Sequence, residues 1–177
     1  MPLFSSQGLT LNYRVEGEGD PVLLIHGFAS NLQMNWVGTG WMKALAEAGY
    51  QAISFDHRGH GASEKIYDSA RYSISHMAED VLGLLDHLHI PRADLVGYSM
   101  GARVGALLAI NNAARVRSLV IGGMGARLFE GAPKSEEIAR ALEAPSRDHV
   151  EDAYARTFRV FAEATKSDLA ALAAVIR

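Results

Sequence analysis

One short segment of the sequence has the residue types and spacing of a reactive serine. Residues 97–101 (GYSMG) form the pattern G-x-S-x-G between an apolar segment typical of a strand and an Ala- and Leu-rich segment typical of a helix. A serine on so tight a turn needs glycine two positions away on either side, because larger side chains would collide with the strained backbone. The pattern predicts that the Ser99 hydroxyl stands above a sheet, at the positive end of a helix, as a nucleophile. The alternative is a glycine-rich turn that carries an incidental serine.

A second loop could stabilise negative charge beside that serine. The segment His26-Gly27-Phe28 follows a short apolar run, VLLI, that is typical of a buried strand. Gly27 would let this loop lie close to Ser99, so that the backbone N–H groups of Phe28 and Met100 point at one oxyanion. His26 is expected to bond loop backbone rather than to transfer protons, because no acid in the pattern orients its ring.

A third segment combines an aspartate with two histidines. Residues 56–63 (DHRGHGAS) follow another strand-like run. His57 and His60 in a glycine turn lack the H-x-x-x-H spacing of helical metal ligands, so no metal site is expected. We predict instead a tight structural turn held by a charge and hydrogen-bond network between Asp56 and Arg58.

The segments that must position these loops alternate between strand and helix. Strands are predicted over 9–15, 22–25, 51–55, 94–96 and 118–121, and helices over 41–48, 75–89 and 100–110. The turn-rich sequence EGEGDP predicts a hairpin between the first two of these strands. Short apolar strands separated by helices indicate the α/β class, with a doubly wound, mostly parallel sheet flanked by helices on both faces.

After Gly125 the pattern changes to helices alone. Val150, Tyr154, Phe158 and Phe161 recur at helical spacing within 147–165 and predict one buried stripe. Ser167 is the predicted cap of a last helix over 168–176. We therefore predict a core over residues 1–126 and a helical cap or lid over residues 127–177.

Composition excludes several classes of protein. The chain has 177 residues, with 17 Lys and Arg against 20 Asp and Glu, a formal charge of −3 and no Cys. A disulfide framework and Cys-ligated metals are excluded, and scattered basic residues argue against a nucleic-acid partner. No apolar run approaches the roughly 18 residues of a membrane span, and no basic leader is present, so a cytoplasmic protein without membrane contact is expected. Residues 122–125 (GGMG) lack dinucleotide-site spacing, so no cofactor is expected.

The three motifs, in this order, resemble the α/β-hydrolase fold superfamily, and the resemblance covers nearly the whole chain. Within this superfamily the sequence most resembles small bacterial esterases, enol-lactonases, non-haem haloperoxidases and C–C bond hydrolases. The resemblance implies that Ser99 is the nucleophile and that Phe28 and Met100 form the oxyanion hole. It also implies structural roles for Asp56 and Arg58. Dehalogenases and epoxide hydrolases of this fold carry an aspartate at the serine position, so those chemistries are disfavoured.

The base and acid that would activate the serine are not identifiable. In this superfamily a histidine follows the acid, and both follow the nucleophile. His149 is the sole histidine after Ser99, and it lies beside Asp148 on a predicted helix, where neighbouring side chains point about 100° apart. His149 is therefore interpreted as a surface residue, and the loop at 122–127 holds no acid.

The resemblance implies that the last strands and final helix of the fold are absent from this chain. We therefore expect the N-terminal portion of a longer hydrolase, inactive or nearly so by itself. The apolar strand at 118–121 would then be an exposed edge. A complementing C-terminal segment or a homo-oligomer contact is expected to cover it.

The leading hypothesis is a serine hydrolase, a carboxylesterase that cleaves small or medium esters through an acyl-enzyme on Ser99. One alternative is a non-catalytic hydrolase-like scaffold that binds or pairs with another chain. A second is a C–C bond hydrolase, lactonase or haloperoxidase of the same fold. An apolar substrate pocket is predicted, with core packing as the alternative for each member: Phe28, Trp36, Met100, Phe129, Tyr154 and Phe158.

Overall fold

The backbone is organised around one six-stranded sheet. The structure, a computed structural model, describes residues 2–130 and 132–177, apart from the side chains of Arg127 and Phe129. The strands are β1 (Leu3–Ser6), β2 (Leu9–Glu16), β3 (Asp20–Ile25), β4 (Tyr50–Phe55), β5 (Ala93–Tyr98) and β6 (Val116–Gly122). Their order is β1-β2-β4-β3-β5-β6, with β4, β3, β5 and β6 parallel. The predicted α/β class with a mostly parallel sheet is confirmed.

The predicted hairpin between the second and third strands is wrong. β2 pairs antiparallel with β4, while β3 lies between β4 and β5 and is parallel to both. The hairpin of this fold instead joins β1 to β2 through Gln7 and Gly8, whose φ angles are 48° and 75°. The sequence analysis missed β1, a four-residue strand.

Six α-helices connect or follow the strands. They are α1 (Trp41–Glu47), α2 (Ile74–His87), α3 (Met100–Asn111), α4 (Ser135–Glu143), α5 (Ala153–Ala164) and α6 (Leu169–Ile176). The three helices predicted before residue 126 match α1, α2 and α3 within two residues at each end. Among the described residues, no helix is long and apolar enough to cross a membrane.

Both faces of the parallel sheet are buried. On β3, Leu23 and Ile25 pack in the cluster that includes α2 and α3, while Val22 and Leu24 pack in a second cluster with Trp36. Successive strand residues point to opposite faces, so a continuous apolar run such as VLLI contributes to both clusters. This two-sided burial fixes the carboxyl end of β3, from which the Gly27 loop departs.

Helices α4 to α6 pack around their own apolar cluster. Its buried members include Ile138, Leu142, Ala155, Ala162 and Leu172. Helices alone follow β6 in the part of the chain that the structure describes, as predicted, although α4 was not among the predicted helices. α6 joins this cluster to the main core, because Ala174 and Val175 pack with the main core. The boundary at residue 126 stays a prediction.

The predicted apolar stripe is confirmed in part. Val150, just before α5, is buried in the cluster of α4 to α6 and Phe158 packs against it, whereas Tyr154 and Phe161 are exposed. The buried residues of α5 itself are Ala155, Arg159 and Ala162. Arg159 is buried because its guanidinium donates to three backbone carbonyl oxygens at the end of α4, those of residues 141, 142 and 144. These bonds attach α5 to the end of α4.

The predicted cap of the last helix is also wrong by one residue. Asp168, and not Ser167, caps α6, because its Oδ1 accepts from the Ala171 N–H at 2.9 Å. The Ser167 hydroxyl lies 2.9 Å from the Thr165 hydroxyl instead.

The β6 edge of the sheet is open in the described chain. β6 is the terminal strand of the sheet, and its side chains Val120 and Ile121 are 56% and 40% exposed. The expectation of an exposed apolar edge is confirmed. Such an edge offers unpaired backbone groups to another segment or chain.

Asp56 holds together the loops that follow β3 and β4. Its buried carboxylate accepts from the backbone N–H groups of Leu32 and Ala62, both at 2.8 Å, and from the Asn12 side chain at 2.9 Å. Three donors on one carboxylate tie three separate segments to a single point. These contacts support a structural role for this aspartate.

The predicted network between Asp56 and Arg58 is wrong, because the two side chains bind different partners. Arg58 turns away from Asp56 and forms a two-pronged ion pair with Asp80 of α2, with both N–O distances 2.7 Å. The same guanidinium donates to the carbonyl oxygens of Arg71 and His76. Both partners of the ion pair are fully buried, at 1% and 0% exposure. Arg58 therefore attaches the turn to α2.

Replacing Asp80 by Asn tests this attachment. Asp80→Asn leaves the Arg58 guanidinium buried without its counter-charge, so we expect the free energy of unfolding to fall by about 3–5 kcal/mol. Urea unfolding measures the change. Asp86→Asn is the matched control on the same helix, since Asp86 pairs with Arg115 in solvent and should lose less than about 1 kcal/mol. Equal losses in the two variants would contradict the attachment.

Candidate active site

Ser99 occupies the turn between β5 and α3, as the sequence predicts. Its backbone has φ 53° and ψ −115°, a left-handed conformation that side chains other than glycine adopt at a cost. Its N–H donates to the Gly122 carbonyl oxygen at 2.9 Å, and its own carbonyl accepts from the N–H groups of Ala102 and Arg103. Bonds on both sides of the residue hold it in this strained state at the N-terminus of α3.

Close backbone contacts explain the glycines on either side of Ser99. A Cβ on Gly97 would lie 2.4 Å from the Gly101 carbonyl oxygen, and a Cβ on Gly101 would lie 2.1 Å from the Ile25 carbonyl oxygen. Neither position can hold a larger residue unless the backbone moves. α3 therefore begins in direct contact with the carboxyl end of β3.

The loop after β3 passes beside the serine. A Cβ on Gly27 would lie 3.3 Å from the Ser99 Cβ. The chain then reverses, since Ala29 has φ 58° and the Ser30 N–H donates to the Gly27 carbonyl. In the turns and loops that the structure describes, the N–H groups of Phe28 and Met100 take no part in the backbone hydrogen bonds. The assignment of these two N–H groups to an oxyanion hole stays a prediction.

A cavity of about 420 Å³ opens above Ser99. It brings together four of the residues predicted for an acyl pocket: Phe28, Met100, Tyr154 and Phe158. The Phe28 and Phe158 rings are 6.0 Å apart, and the Tyr154 and Phe158 rings are 5.2 Å apart. The cavity therefore lies between the main core and α5, with an aromatic wall.

One predicted pocket residue lies elsewhere. Trp36 is buried on the opposite face of the sheet, in the cluster with Val22 and Leu24, because its helical turn returns to that face. The predicted role of Trp36 in the pocket is wrong. The side chain of Phe129 lies outside the described residues.

The sequence analysis missed several residues of the cavity wall. Tyr72 precedes α2 and Ile74 begins it, Arg103 comes from α3, Val175 comes from α6, and Arg177 follows α6. The position of Arg103 one helical turn after Ser99 was the signal that could have identified it. The others depend on how α2 and α6 pack, which local spacing does not reveal.

No proton-transfer partner of Ser99 lies on the described cavity wall. None of the described lining residues is a histidine, aspartate or glutamate. His149 is exposed on a short helical turn (Arg147–His149) that precedes α5, and its Nδ1 lies 2.9 Å from the Ser146 hydroxyl. The interpretation of His149 as a surface residue is confirmed, although it does not lie on the predicted long helix.

Three buried histidines lie beneath the Gly27 loop. His26, His57 and His60 are all inaccessible to solvent, with ring centroids 4.7 Å apart for His26 and His57 and 5.2 Å apart for His26 and His60. His26 Nδ1 lies 2.8 Å from the Gly27 carbonyl oxygen, and its Nε2 accepts from the His57 N–H at 3.0 Å. His26 thus bonds loop backbone, as predicted, and as a neutral ring with the proton on Nδ1.

Burial keeps this histidine cluster uncharged. It lowers the pKa of His26 to about 4 and that of His60 to about 3, and it also lowers the pKa of His57. Like charges on the neighbouring histidines would add to the effect. Both ring nitrogens of His57 are buried without a partner among the described residues. The cluster therefore acts as aromatic packing under the loop.

Comparison with known proteins agrees with this arrangement. The family model described as alpha/beta hydrolase fold matches residues 20–154. The chain belongs to the α/β-hydrolase fold family. This hydrolase-fold chain is 41% identical over 115 residues to a protein named putative carbamate hydrolase RutD from Variovorax paradoxus, covering 64% of this chain and 42% of that protein. It is 34% identical over 140 residues to 3-oxoadipate enol-lactonase 2 from Acinetobacter baylyi, covering 73% of this chain and 49% of that protein.

A solved structure extends the likeness across the whole α/β-hydrolase chain. The enol-lactonase from Burkholderia xenovorans LB400 superposes with a TM-score of 0.75 at 24% identity, covering 99% of this chain and 72% of that one. An identity this low shows the fold alone. The chain spans less than half the length of the two curated relatives, at 42% and 49%.

The neutral histidine cluster predicts that acid destabilises the fold. In the unfolded chain these histidines bind protons below about pH 6.5, whereas the folded state keeps them neutral until about pH 4 or lower. The free energy of unfolding is therefore at its full value above pH 6.5. It decreases as the pH falls toward 4, by up to about 1.4 kcal/mol per pH unit for each histidine. Urea unfolding at a series of pH values from about 7.5 to about 4.5 measures how steeply the free energy of unfolding changes with pH.

Two variants assign that slope to the cluster. His57→Leu removes one of the three buried histidine rings. Its ring nitrogens have no hydrogen-bond partner among the described residues, so no such bond is lost. The pH slope of stability should therefore be shallower by about a third. His149→Gln, at an exposed histidine, should leave the slope unchanged. An unchanged slope in His57→Leu would contradict the assignment.

Backbone strain at Ser99 makes a second prediction. Ser99→Gly relieves the left-handed conformation, so it should be more stable than Ser99→Ala by about 1 kcal/mol after the greater chain entropy of glycine is subtracted. Thermal unfolding of both variants measures the difference. If Ser99→Ala equals or exceeds Ser99→Gly in stability, the turn is not strained.

Proposed function

We propose that Ser99 is the nucleophile of a serine hydrolase that cleaves small or medium carboxylic esters through an acyl-enzyme. The single observation that carries the proposal is the strained Ser99 at the base of an apolar cavity, beside two uncommitted backbone N–H groups. Strain at a buried turn is maintained where the surrounding structure forces it, and such positions concentrate at functional sites.

The reaction follows from the positions of these groups. Ser99 Oγ attacks the carbonyl carbon, and the resulting oxyanion accepts hydrogen bonds from the Phe28 and Met100 N–H groups. The C–O bond to the alcohol then breaks, the alcohol leaves with a proton, and an acyl ester remains on Ser99. Water hydrolyses that ester, releasing the carboxylic acid and restoring the hydroxyl. A lactone would react in the same way, with the alcohol still attached to the acyl group.

Both proton transfers need a base that the described cavity wall does not supply. We propose that the histidine and its orienting acid come from a complementing segment that covers the open β6 edge. Gly123 and Met124, which follow β6, line the cavity, so a segment paired there would stand beside Ser99. This chain matches only 42% and 49% of the length of the two curated relatives, so each relative contains further sequence in which such a segment could lie.

A non-catalytic scaffold is the second candidate. The observation that favours it is the absence of His, Asp and Glu from the cavity wall in the described residues. In this alternative the exposed β6 edge serves only to pair with another chain.

An added base separates the two candidates. We expect this chain and Ser99→Ala to hydrolyse p-nitrophenyl butyrate at similar, near-background rates, because loss of a triad member costs about 10⁴-fold to 10⁶-fold. Imidazole should then accelerate the unmodified chain beyond Ser99→Ala, since it can enter the cavity and accept the serine proton. Mass spectrometry should find a butyryl group on Ser99.

The Ser99→Ala variant also corrects for the reaction of imidazole with the ester in solution. Equal rates in imidazole, together with no acyl group on Ser99, would reject the nucleophile and favour the scaffold. Acylation at another residue would reject Ser99 specifically.

A further inference from the structure

The turn that carries Phe28 has a conformation that its own residues do not favour. The Ser30 N–H donates to the Gly27 carbonyl oxygen at 3.3 Å, and Ala29, at the third position of the turn, has φ 58°. Turns with a positive φ at the third position favour glycine, because a residue with a side chain is strained there. Such strain persists where the surrounding structure enforces it.

The helices that follow β6 enclose this turn. Ala29 is inaccessible to solvent and belongs to the apolar cluster whose other buried members lie between Ile138 and Ala173. Its neighbour Phe28 packs against both that cluster and the main core. The Phe28 ring also lies 6.0 Å from the ring of Phe158 on α5. The turn is therefore contacted from two sides, by the main core and by α4 to α6.

One hydroxyl of the connection between α5 and α6 reaches the turn. The Thr165 Oγ1 lies 2.9 Å from the Ala29 carbonyl oxygen. It also lies 3.1 Å from the carbonyl oxygens of Phe161 and Ala162. The Phe161 oxygen already accepts the Thr165 N–H, and the Ala162 oxygen accepts another backbone N–H of the connection. Since a hydroxyl has one proton to donate, the Thr165 proton goes to Ala29, the nearest of the three acceptors.

A second hydroxyl supports the first. The Ser167 Oγ lies 2.9 Å from the Thr165 Oγ1 and 3.5 Å from the Ala29 carbonyl oxygen. With the Thr165 proton directed at Ala29, the Ser167 hydroxyl donates to Thr165. Linked hydrogen bonds polarise one another, so this donation strengthens the bond to Ala29.

We propose that Thr165 is a positioning residue for the oxyanion hole. Its hydroxyl holds Ala29 in the left-handed conformation and thereby keeps the Phe28 N–H beside Ser99. Because α5 also supplies Phe158 to the cavity wall, the same bond links enclosure of the cavity to the position of the donor. The effect on acylation rests on the proposed function of Ser99, whereas the hold on the turn does not.

Hydrogen exchange of the Ser30 amide, followed by NMR, tests the hold on the turn without any reaction. This N–H makes the turn's own hydrogen bond, so it exchanges when the turn opens. Thr165→Val keeps the shape of the side chain and removes the hydroxyl. We expect the Ser30 amide to exchange about fivefold faster, as for the loss of one hydrogen bond. Thr165→Ser keeps the hydroxyl and should exchange like the unmodified chain.

Tyr67→Phe is the matched control. It removes a hydroxyl from another bond to the same connection, in which the Tyr67 hydroxyl donates to Asp168 Oδ2 at 2.9 Å. That bond is made to the cap of α6 and not to Ala29, so the exchange of the Ser30 amide should stay unchanged. Thermal unfolding establishes that each variant is folded.

Acylation of Ser99 by p-nitrophenyl butyrate in imidazole tests the position of the donor. A displaced Phe28 N–H weakens binding of the oxyanion and not of the ester. Thr165→Val should therefore lower the maximal rate of acylation by about tenfold, a part of the 10²–10³ that loss of a whole donor costs. The ester concentration that gives half the maximal rate should not change. Thr165→Ser should restore the rate, and Tyr67→Phe should alter neither quantity.

Three results would overturn the proposal. They are equal Ser30 exchange in Thr165→Val and Tyr67→Phe, an acceleration in Thr165→Ser as large as in Thr165→Val, and faster exchange with an unchanged maximal rate of acylation. If Thr165→Val does not fold, Ser167→Ala takes its place, and unchanged Ser30 exchange in that variant overturns the proposal. Failure of the proposed function is a separate outcome, seen as no acylation of Ser99 in the unmodified chain. The exchange rates then decide the hold on the turn by themselves.

Discussion

The contact between the first turn of α3 and the carboxyl end of β3 determines the geometry of the cavity. At this contact a Cβ on Gly101 would lie 2.1 Å from the Ile25 carbonyl oxygen, so the helix and the strand meet backbone to backbone. The approach forces Ser99 into its left-handed conformation and brings the Gly27 loop beside it. Interiors are packed too densely for one of these elements to shift alone. The Ser99 turn and the Gly27 loop are thus placed side by side by this contact, and the hydrogen bond from the Ser99 N–H to Gly122 secures the turn.

Two buried polar groupings hold the loops around that contact by opposite means. The Arg58–Asp80 pair is an ion pair whose oxygens and guanidinium donors are satisfied by each other and by backbone carbonyls. The histidine cluster remains neutral and packs as aromatic rings. A buried charge is tolerated when it is paired, and a buried imidazole is tolerated when it is uncharged. Low pH therefore acts on the histidines beneath the Gly27 loop.

The parts that the sequence predicts correctly are those that depend on neighbouring residues. Strand and helix periodicity locates five of the six strands and α1 to α3, and the glycine spacing places Ser99 on its turn. Apart from the cap of α6, which is displaced by one residue, the wrong predictions concern contacts between distant segments. Trp36 is apolar, but nothing local shows to which face of the sheet its turn returns. Arg159 is buried through three carbonyl partners at the end of α4, which no local pattern reveals.

Under the proposed function, positioning of the nucleophile and proton transfer have different structural requirements. Positioning depends on β3 and β5, which lie inside the sheet, and on α3, whose first turn contacts the end of β3. Proton transfer needs only a side chain that reaches the Ser99 hydroxyl. The β6 edge is open and ends beside the serine, since the Gly122 carbonyl accepts from the Ser99 N–H. Under the proposed function, a segment added at this edge could therefore supply the base without any change in β3, β5 or α3. The strained serine can thus be formed and maintained before its proton acceptor is in place, because its conformation depends on backbone packing and not on a bond to a base.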